Sequence, residues 1–257
     1  MKYFNILIIL LTTSFAQIQY AGSPIYKPEN IDIKFISIDH SNLIEHDLHP
    51  MVLHYANEYS VDINILKSST KIVGQYKTTF YLGIESVDAQ AIAFHFDKFK
   101  LTENSQMFIY DDEETMYIGS FNSKNNDFTG EKSTALVKSD RVIIELTVPN
   151  HEIRDLELNM SVVTHDFLDL INFHENQVSE RVDCNDNVAC SSGDNWRDEI
   201  DGVVLVSGNG GVCSASLINN TNFDKTPYIV YAAHCNSGGS NTVYFNYQSY
   251  TCNGTQP

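Results

Sequence analysis

The 257-residue chain carries 33 Asp plus Glu against 16 Lys plus Arg, a formal charge of −17 with its histidines neutral, which argues against nucleic acid as a partner because such a binder needs basic surface to neutralise phosphates. Hydrophobic residues make up 42% and charged residues 19%, with 14 Phe and 14 Tyr, too apolar and aromatic a mixture for a disordered chain. At roughly 100–200 residues per domain, the length suits one large or two modest domains.

Residues 1–16 have the organisation of a secretory signal peptide. Lys2 gives a positive start, Ile6 to Leu11 is an unbroken apolar run, and Ser14 and Ala16 place small residues two apart before a cut. Asn5 and the polar residues from Thr12 leave the run well short of the ~20 apolar residues that span a bilayer. The segment is therefore set apart from the fold, and the rest of the chain is expected to be exported, extracellular and free of the membrane. The cysteines agree with an oxidising compartment: all five, Cys184, Cys190, Cys213, Cys235 and Cys252, lie in the last third.

Between Asp39 and Tyr59 the pattern is closest to a short helix broken by Pro50. His40, His46, His49 and His54 gather there. Zinc would need a third ligand and a fixed helix; Pro50 disturbs that helix and no His-Glu-x-x-His occurs, so no metal is expected. No phosphate loop, dinucleotide fingerprint or CxxC is present, so no cofactor is expected either.

From Tyr76 to about His165 apolar residues alternate with period two, the signature of strands with one buried face. Phe80, Leu82 and Ile84 share a face, as do Ile92, Phe94 and Phe96, then Val142, Ile144, Leu146 and Val148, then Leu156, Leu158, Met160 and Val162. Asp111 to Glu114, Asn125-Asn126-Asp127 and Pro149-Asn150 are turn clusters between them, the acidic run reading as a solvated turn and not a calcium loop. Several such strands predict a β-sandwich over residues 23–170. Residues 171–183 are polar and without a sustained period, which fits a linker, with Arg181 as a possible processing site.

After the linker come Cys184 and Cys190, then Gly193-Asp-Asn-Trp-Arg-Asp198. Val203 to Val206 reads as a strand ended by a tight turn at Gly208-Asn-Gly-Gly211, Cys213 to Ile218 as another, Asn219 to Lys225 as a polar loop, and Tyr228 to Tyr231 as a third strand running into Ala232-Ala233-His234-Cys235. A histidine at the end of a buried strand, beside a Cys that can pair with Cys213, sits on the kind of rigid support a catalytic base needs. On these residues alone a structural histidine is the plainer reading.

Cys-Ser-Ala-Ser-Leu-Ile followed by Tyr-Ile-Val-Tyr-Ala-Ala-His-Cys resembles the strand pair that carries the base histidine of trypsin-like serine proteases. Cys184-x5-Cys190, Gly193 to Asp198, Leu217-Ile-Asn-Asn-Thr221, Ala-Ala-His-Cys and Tyr244-Phe-Asn-Tyr-Gln248 before Cys252 are more closely similar to the start of the bacterial lysyl endopeptidase family, over residues 182–257. The resemblance implies an all-β chain, a pro-region sandwich followed by the N-terminal part of a trypsin-like barrel, and a secreted serine endopeptidase precursor acting on protein or peptide substrates. It implies His234 as general base, disulfides Cys213–Cys235 and Cys190–Cys252, and an unpaired Cys184, whose family partner lies further downstream. The triad aspartate and the Gly-x-Ser-Gly-Gly-like nucleophile turn are expected from a missing C-terminal protease segment, since no Asp follows Asp224, so the chain alone is expected to be inactive. Asn236-Ser237-Gly238-Gly239-Ser240 imitates a nucleophile turn, but it directly follows Cys235 and reads as a plain turn. Tyr231 stands where trypsin-like proteases usually carry a small hydroxyl residue. The rival expectations are a secreted non-catalytic binding or adhesion protein, and a protease inhibitor, in which the sandwich is the working part and the tail a disulfide-stapled remnant.

Overall fold

The computed structural model describes residues 22–173, 186–222, 224, 226–235 and 241–252. The expected signal segment, Arg181, Cys184, most of the linker and the Asn236 to Ser240 turn lie outside the described residues. No helix among the described residues is long and apolar enough to cross a membrane.

The chain is all-β; the described residues form three sheets, with single-turn α-helices at α1 (Ile65–Ser68) and α2 (Arg197–Asp201). The first sheet runs in the order β1 (Phe35–Ser37), β6 (Lys77–Glu85), β11 (Arg141–Pro149), β8 (Gln106–Asp111), β9 (Tyr117–Phe121), with β5 (Thr70–Val73) also on β6. The second runs β10 (Lys132–Ser133), β7 (Ala91–Lys100), β12 (Glu157–Asp166), β4 (Ala56–Asn64), β2 (Leu43–Ile44). These two face each other as a sandwich, because their alternating apolar residues share one core. Phe80, Leu82 and Ile84 of β6 and Val142, Ile144, Leu146 and Val148 of β11 meet Ile92, Phe94 and Phe96 of β7 and Leu158 and Met160 of β12. Each such side chain, fully buried, stabilises the fold by about 1.5–3 kcal/mol.

Two expectations are corrected here. A bulge in β12 shifts its register between Met160 and Val162, so Val163 enters the core and Val162 is only half-buried; one extra residue reverses which neighbours face inward. The stretch from Asp39 to Tyr59 is not a helix either. One 3-10 turn at His40–Asn42 is followed by β2, β3 (Leu53–His54) and the start of β4, with Pro50 in a turn closed by Val52 N–H donating to the His49 carbonyl at 2.8 Å. Strand ladders decide the conformation over a weak local helical pattern: β4 on β12 with Tyr59 opposite Val163, β2 on β4, and β3 on a later strand at Gly211 and Val212.

The outer face of the first sheet is covered by the arm leading into β1, where Ile33 joins Tyr81, Phe108, Tyr110 and Ile143. The buried Glu145 carboxylate accepts from the backbone N–H groups of Ile25 and Tyr26, both at 2.9 Å. The acidic run is less solvated than expected: Asp111 is buried, and its carboxylate accepts from Thr115 and Met116.

The third sheet runs β15 (Tyr228–Val230), β14 (Gly211–Ile218), β13 (Val203–Gly208), β16 (Thr242–Phe245), and β3 pairs with β14 from the sandwich side. Among the described residues it is an open sheet. It docks on the outer face of the second sheet where that face is lined by small residues. Ala91 and Ala93 of β7 leave room for Tyr55, Leu136, Leu170 and Val212, with Leu205 packed against them. Hydrogen bonds cross the same contact: Tyr55 and Ser207 hydroxyls at 2.8 Å, the Thr242 hydroxyl to the Thr134 carbonyl at 3.3 Å, and the Tyr247 hydroxyl to the Leu170 carbonyl at 3.1 Å.

The cleft at His234

β13 and β14 form a hairpin whose two central residues, Asn209 and Gly210, have φ of 53° and 75°. Both left-handed values belong to the turn whose twist matches that of paired strands. The hairpin places Cys213 on β14, and Cys213 is disulfide-bonded to Cys235. β15 pairs with β14 in the register Ser216↔Val230, Leu217↔Ile229, Ile218↔Tyr228, and delivers the chain into a 3-10 turn at Ala233–Cys235, with Cys235 N–H donating to the Ala232 carbonyl at 2.9 Å. His234 is therefore held by a ladder on one side and a covalent bond on the other.

Its supporting strand is not buried, as the sequence suggested. β15 is an edge strand with Tyr228 and Val230 exposed, since only Ile229 and the following Tyr231 turn toward Val204, Val206 and Ala215. Tyr231 is thus a packing residue beneath the histidine turn.

The His234 ring is exposed and faces a cleft of about 160 Å³ whose wall includes His46, Leu48, His49, Val52, Cys213 and Cys235. The His49 ring stacks on it, with centroids 4.8 Å apart and planes at 26°. Among the described residues no carboxylate bonds to His234. An accessible imidazole on a rigid turn can take a proton from a hydroxyl brought within hydrogen-bond reach; orienting its other nitrogen requires a carboxylate or carbonyl from elsewhere.

The one metal-like grouping among the described residues is Cys213, His234 and Cys235, whose ligand atoms lie within 4.8 Å of one another. Its sulfurs are joined to each other, and only a thiolate binds metal. The four clustered histidines disperse to separate partners. His40 meets Ser86, His46 pairs with Glu58 at 2.9 Å, His49 stacks on His234, and His54 bonds the Ala56 carbonyl at 2.7 Å.

The Gly193 to Asp198 motif serves the second disulfide, Cys190–Cys252. The Arg197 guanidinium donates to the carbonyls of Val188 and Cys190 at 2.8 and 3.2 Å and to the Asp194 carboxylate at 2.6 Å, tying the arm into one loop. Gly193 lets that loop close: a Cβ there would sit 2.3 Å from the Val188 carbonyl oxygen. Asp224 is a turn residue whose carboxylate accepts from the Asn220 side chain at 2.7 Å and Thr226 N–H at 2.9 Å. Those bonds, the Asn220 contribution foremost, hold its acid down to about 2.

Sequence reasoning missed His49 and the segment around it as part of this cleft. The available signals were the Gly210-Gly211 pair, which offers a bare backbone, and Pro50, which turns the chain back. No solved structure matches the chain. Residues 178–257, the part that carries the disulfides and His234, match the family model described as lysyl endopeptidase, C-terminal domain, and this part of the chain is thus similar to a peptidase domain.

Proposed function

We propose that the chain is a secreted serine endopeptidase precursor in which the sandwich is a pro-region and the segment from residue 178 onward contributes the base of a Ser-His-Asp triad. The observation that carries this reading is the conjunction of the lysyl endopeptidase match over residues 178–257 with an exposed His234 clamped by Cys213–Cys235 at the edge of a cleft. In this reading His234 takes the proton of the serine hydroxyl as it attacks the peptide carbonyl, and returns it to the leaving amine. The carboxylate that orients the imidazole and the serine itself belong to a further protease segment, so the 257 residues supply one of three catalytic groups. Cys190–Cys252 and Arg197 anchor the start of the peptidase part.

The test is peptide hydrolysis by this chain joined to a segment bearing an aspartate and a Gly-x-Ser-Gly-Gly turn, with the 257 residues alone as control. Hydrolysis is expected only in the joined form, and His234→Ala should lower kcat by a factor on the order of 10³ or more. Equal activity with and without His234 would refute the assignment. N-terminal sequencing of the secreted product tests the pro-region: a cut near Arg181 is expected, and a mature product with the sandwich still attached would count against it.

A further inference from the structure

We infer that the segment His46–Ala56 is a strap that closes the His234 cleft by adding its own strand to the edge of β14. The inference rests on His234 being the base of the proposed site, and names how access to that site is controlled. β3 lies antiparallel to the start of β14, His54 opposite Gly211 and Leu53 opposite Val212. Tyr55 and Ala56 N–H groups both donate to the Gly210 carbonyl, at 2.9 and 3.2 Å. Strand addition of this kind satisfies backbone groups that an extended peptide would otherwise take up, which is how sheet edges bind peptides. The occupant here belongs to the same chain.

The strap fits because the receiving edge has no side chains at its closest points. A Cβ on Gly211 would stand 2.6 Å from Val52 Cγ1 and 3.5 Å from the Leu48 methyl groups, and one on Gly210 would stand 2.1 Å from the Ala56 carbonyl oxygen. Upstream of β3 the chain turns at Pro50, and Met51 N–H donates to His49 Nδ1 at 3.2 Å. That bond leaves the ring proton on Nε2 and fixes the His49 plane, which lies against the His234 ring at 4.8 Å. At the other end His46 is held by Glu58 of β4. Two faces of the site are thus occupied: the strand edge by Leu53–Ala56 and one face of the base by His49.

The strap can also leave without unfolding the sandwich. Met51 is 74% and Leu53 39% exposed, so residues 46–54 bury little of their own apolar surface, while Tyr55 and Ala56, buried at 3% and 1% exposure, stay in the docking contact as the anchor from which the strap swings. Segments of that kind open at a small fraction of the global stability.

The experiment uses the full chain and Gly211→Val, with two readouts: hydrogen exchange of peptides spanning residues 46–56, and the rate at which diethyl pyrocarbonate acylates His234. Wild type is expected to protect residues 46–56. Gly211→Val is expected to lose that protection by about tenfold with β7, β11 and β12 unchanged, and to acylate His234 about threefold faster or more. A wild-type strap that exchanges as freely as an unstructured segment overturns the inference. So does a released strap with an unchanged His234 rate. Should Gly211→Val also expose the core strands, the double variant Leu48→Asp with Val52→Asp, which alters only the strap, decides by the same readouts. Neither readout needs hydrolysis. A protected strap in a chain whose completed form hydrolyses no peptide would sustain the strap and remove the protease reading.

Discussion

His165 sits at the end of β12 with its Nδ1 at 2.8 Å from the Ser86 hydroxyl, which also lies 3.1 Å from His40 Nε2. Burial, and after it the neighbouring His40 charge, hold its acid below the usual 6.5, with Asp88 pulling weakly the other way. His40, Tyr59, Ser86 and Asp88 are the groups facing it. The folded state therefore favours the neutral ring. Its contribution to stability is complete above about pH 6.5, where the ring is neutral folded or unfolded, and is lost as pH falls through the depressed folded value. Urea midpoints taken at about pH 7.5 and about pH 5 should fall in the wild type and fall less in His165→Gln. Parallel declines would mean that other groups carry the acid sensitivity. Glu145 poses a different problem at the same scale. Its burial raises its acid, against the two N–H groups of the arm that favour the carboxylate. Glu145→Ala would leave the Ile25 and Tyr26 donors unmatched and is expected to cost about 1–3 kcal/mol, read by denaturant titration together with faster exchange over residues 22–34.

Among the elements, the hairpin of β13 and β14 matters most, because everything that positions His234 hangs from it. Cys213 and Cys235 close a loop of sequence separation 22, for which chain entropy gives about 3 kcal/mol on a model-dependent scale. Cys213→Ser combined with Cys235→Ser should lower the unfolding free energy of the third sheet by about that amount while amide exchange in β6, β7, β11 and β12 stays as in the wild type. Loss of protection throughout the sandwich would show that the two parts fold as one. The strands themselves were largely legible: Val142 to Val148 alternates cleanly because β11 pairs on both sides along its length and meets one core. Val162 misled because a bulge is invisible to a period-two count, and Asp39 to Tyr59 because its strands are set by partners outside any local window: β4 on β12, β2 on β4 and β3 on β14. The histidine turn could be read from its neighbouring cysteines. Its stacking on His49 could not, since no local pattern links residues that meet only when two sheets dock.

At the scale of the whole molecule, the sandwich and the third sheet meet through Tyr55, Leu170, Val212 and neutral hydrogen bonds. Burial pushes the Tyr55 phenol well up and those of Tyr244 and Tyr247 up to about 12, so these bonds keep their protons throughout the neutral range. An interface of apolar contacts and uncharged donors is little affected by screening. Cutting the chain at Arg181 should therefore leave two pieces that co-elute on size exclusion, in high salt as in low, and separate only in denaturant. Tyr55→Phe tests the same contact from inside: it removes the bond to Ser207, whose side chain is buried, and an unmatched buried hydroxyl costs about 1–3 kcal/mol, or roughly five- to 150-fold in the dissociation constant of the nicked pair. Because Tyr55 adjoins β3, the same substitution should speed exchange over residues 46–56. A nicked pair that separates without denaturant would leave the strap held by covalent continuity alone, and the docking contacts without the energy assigned to them.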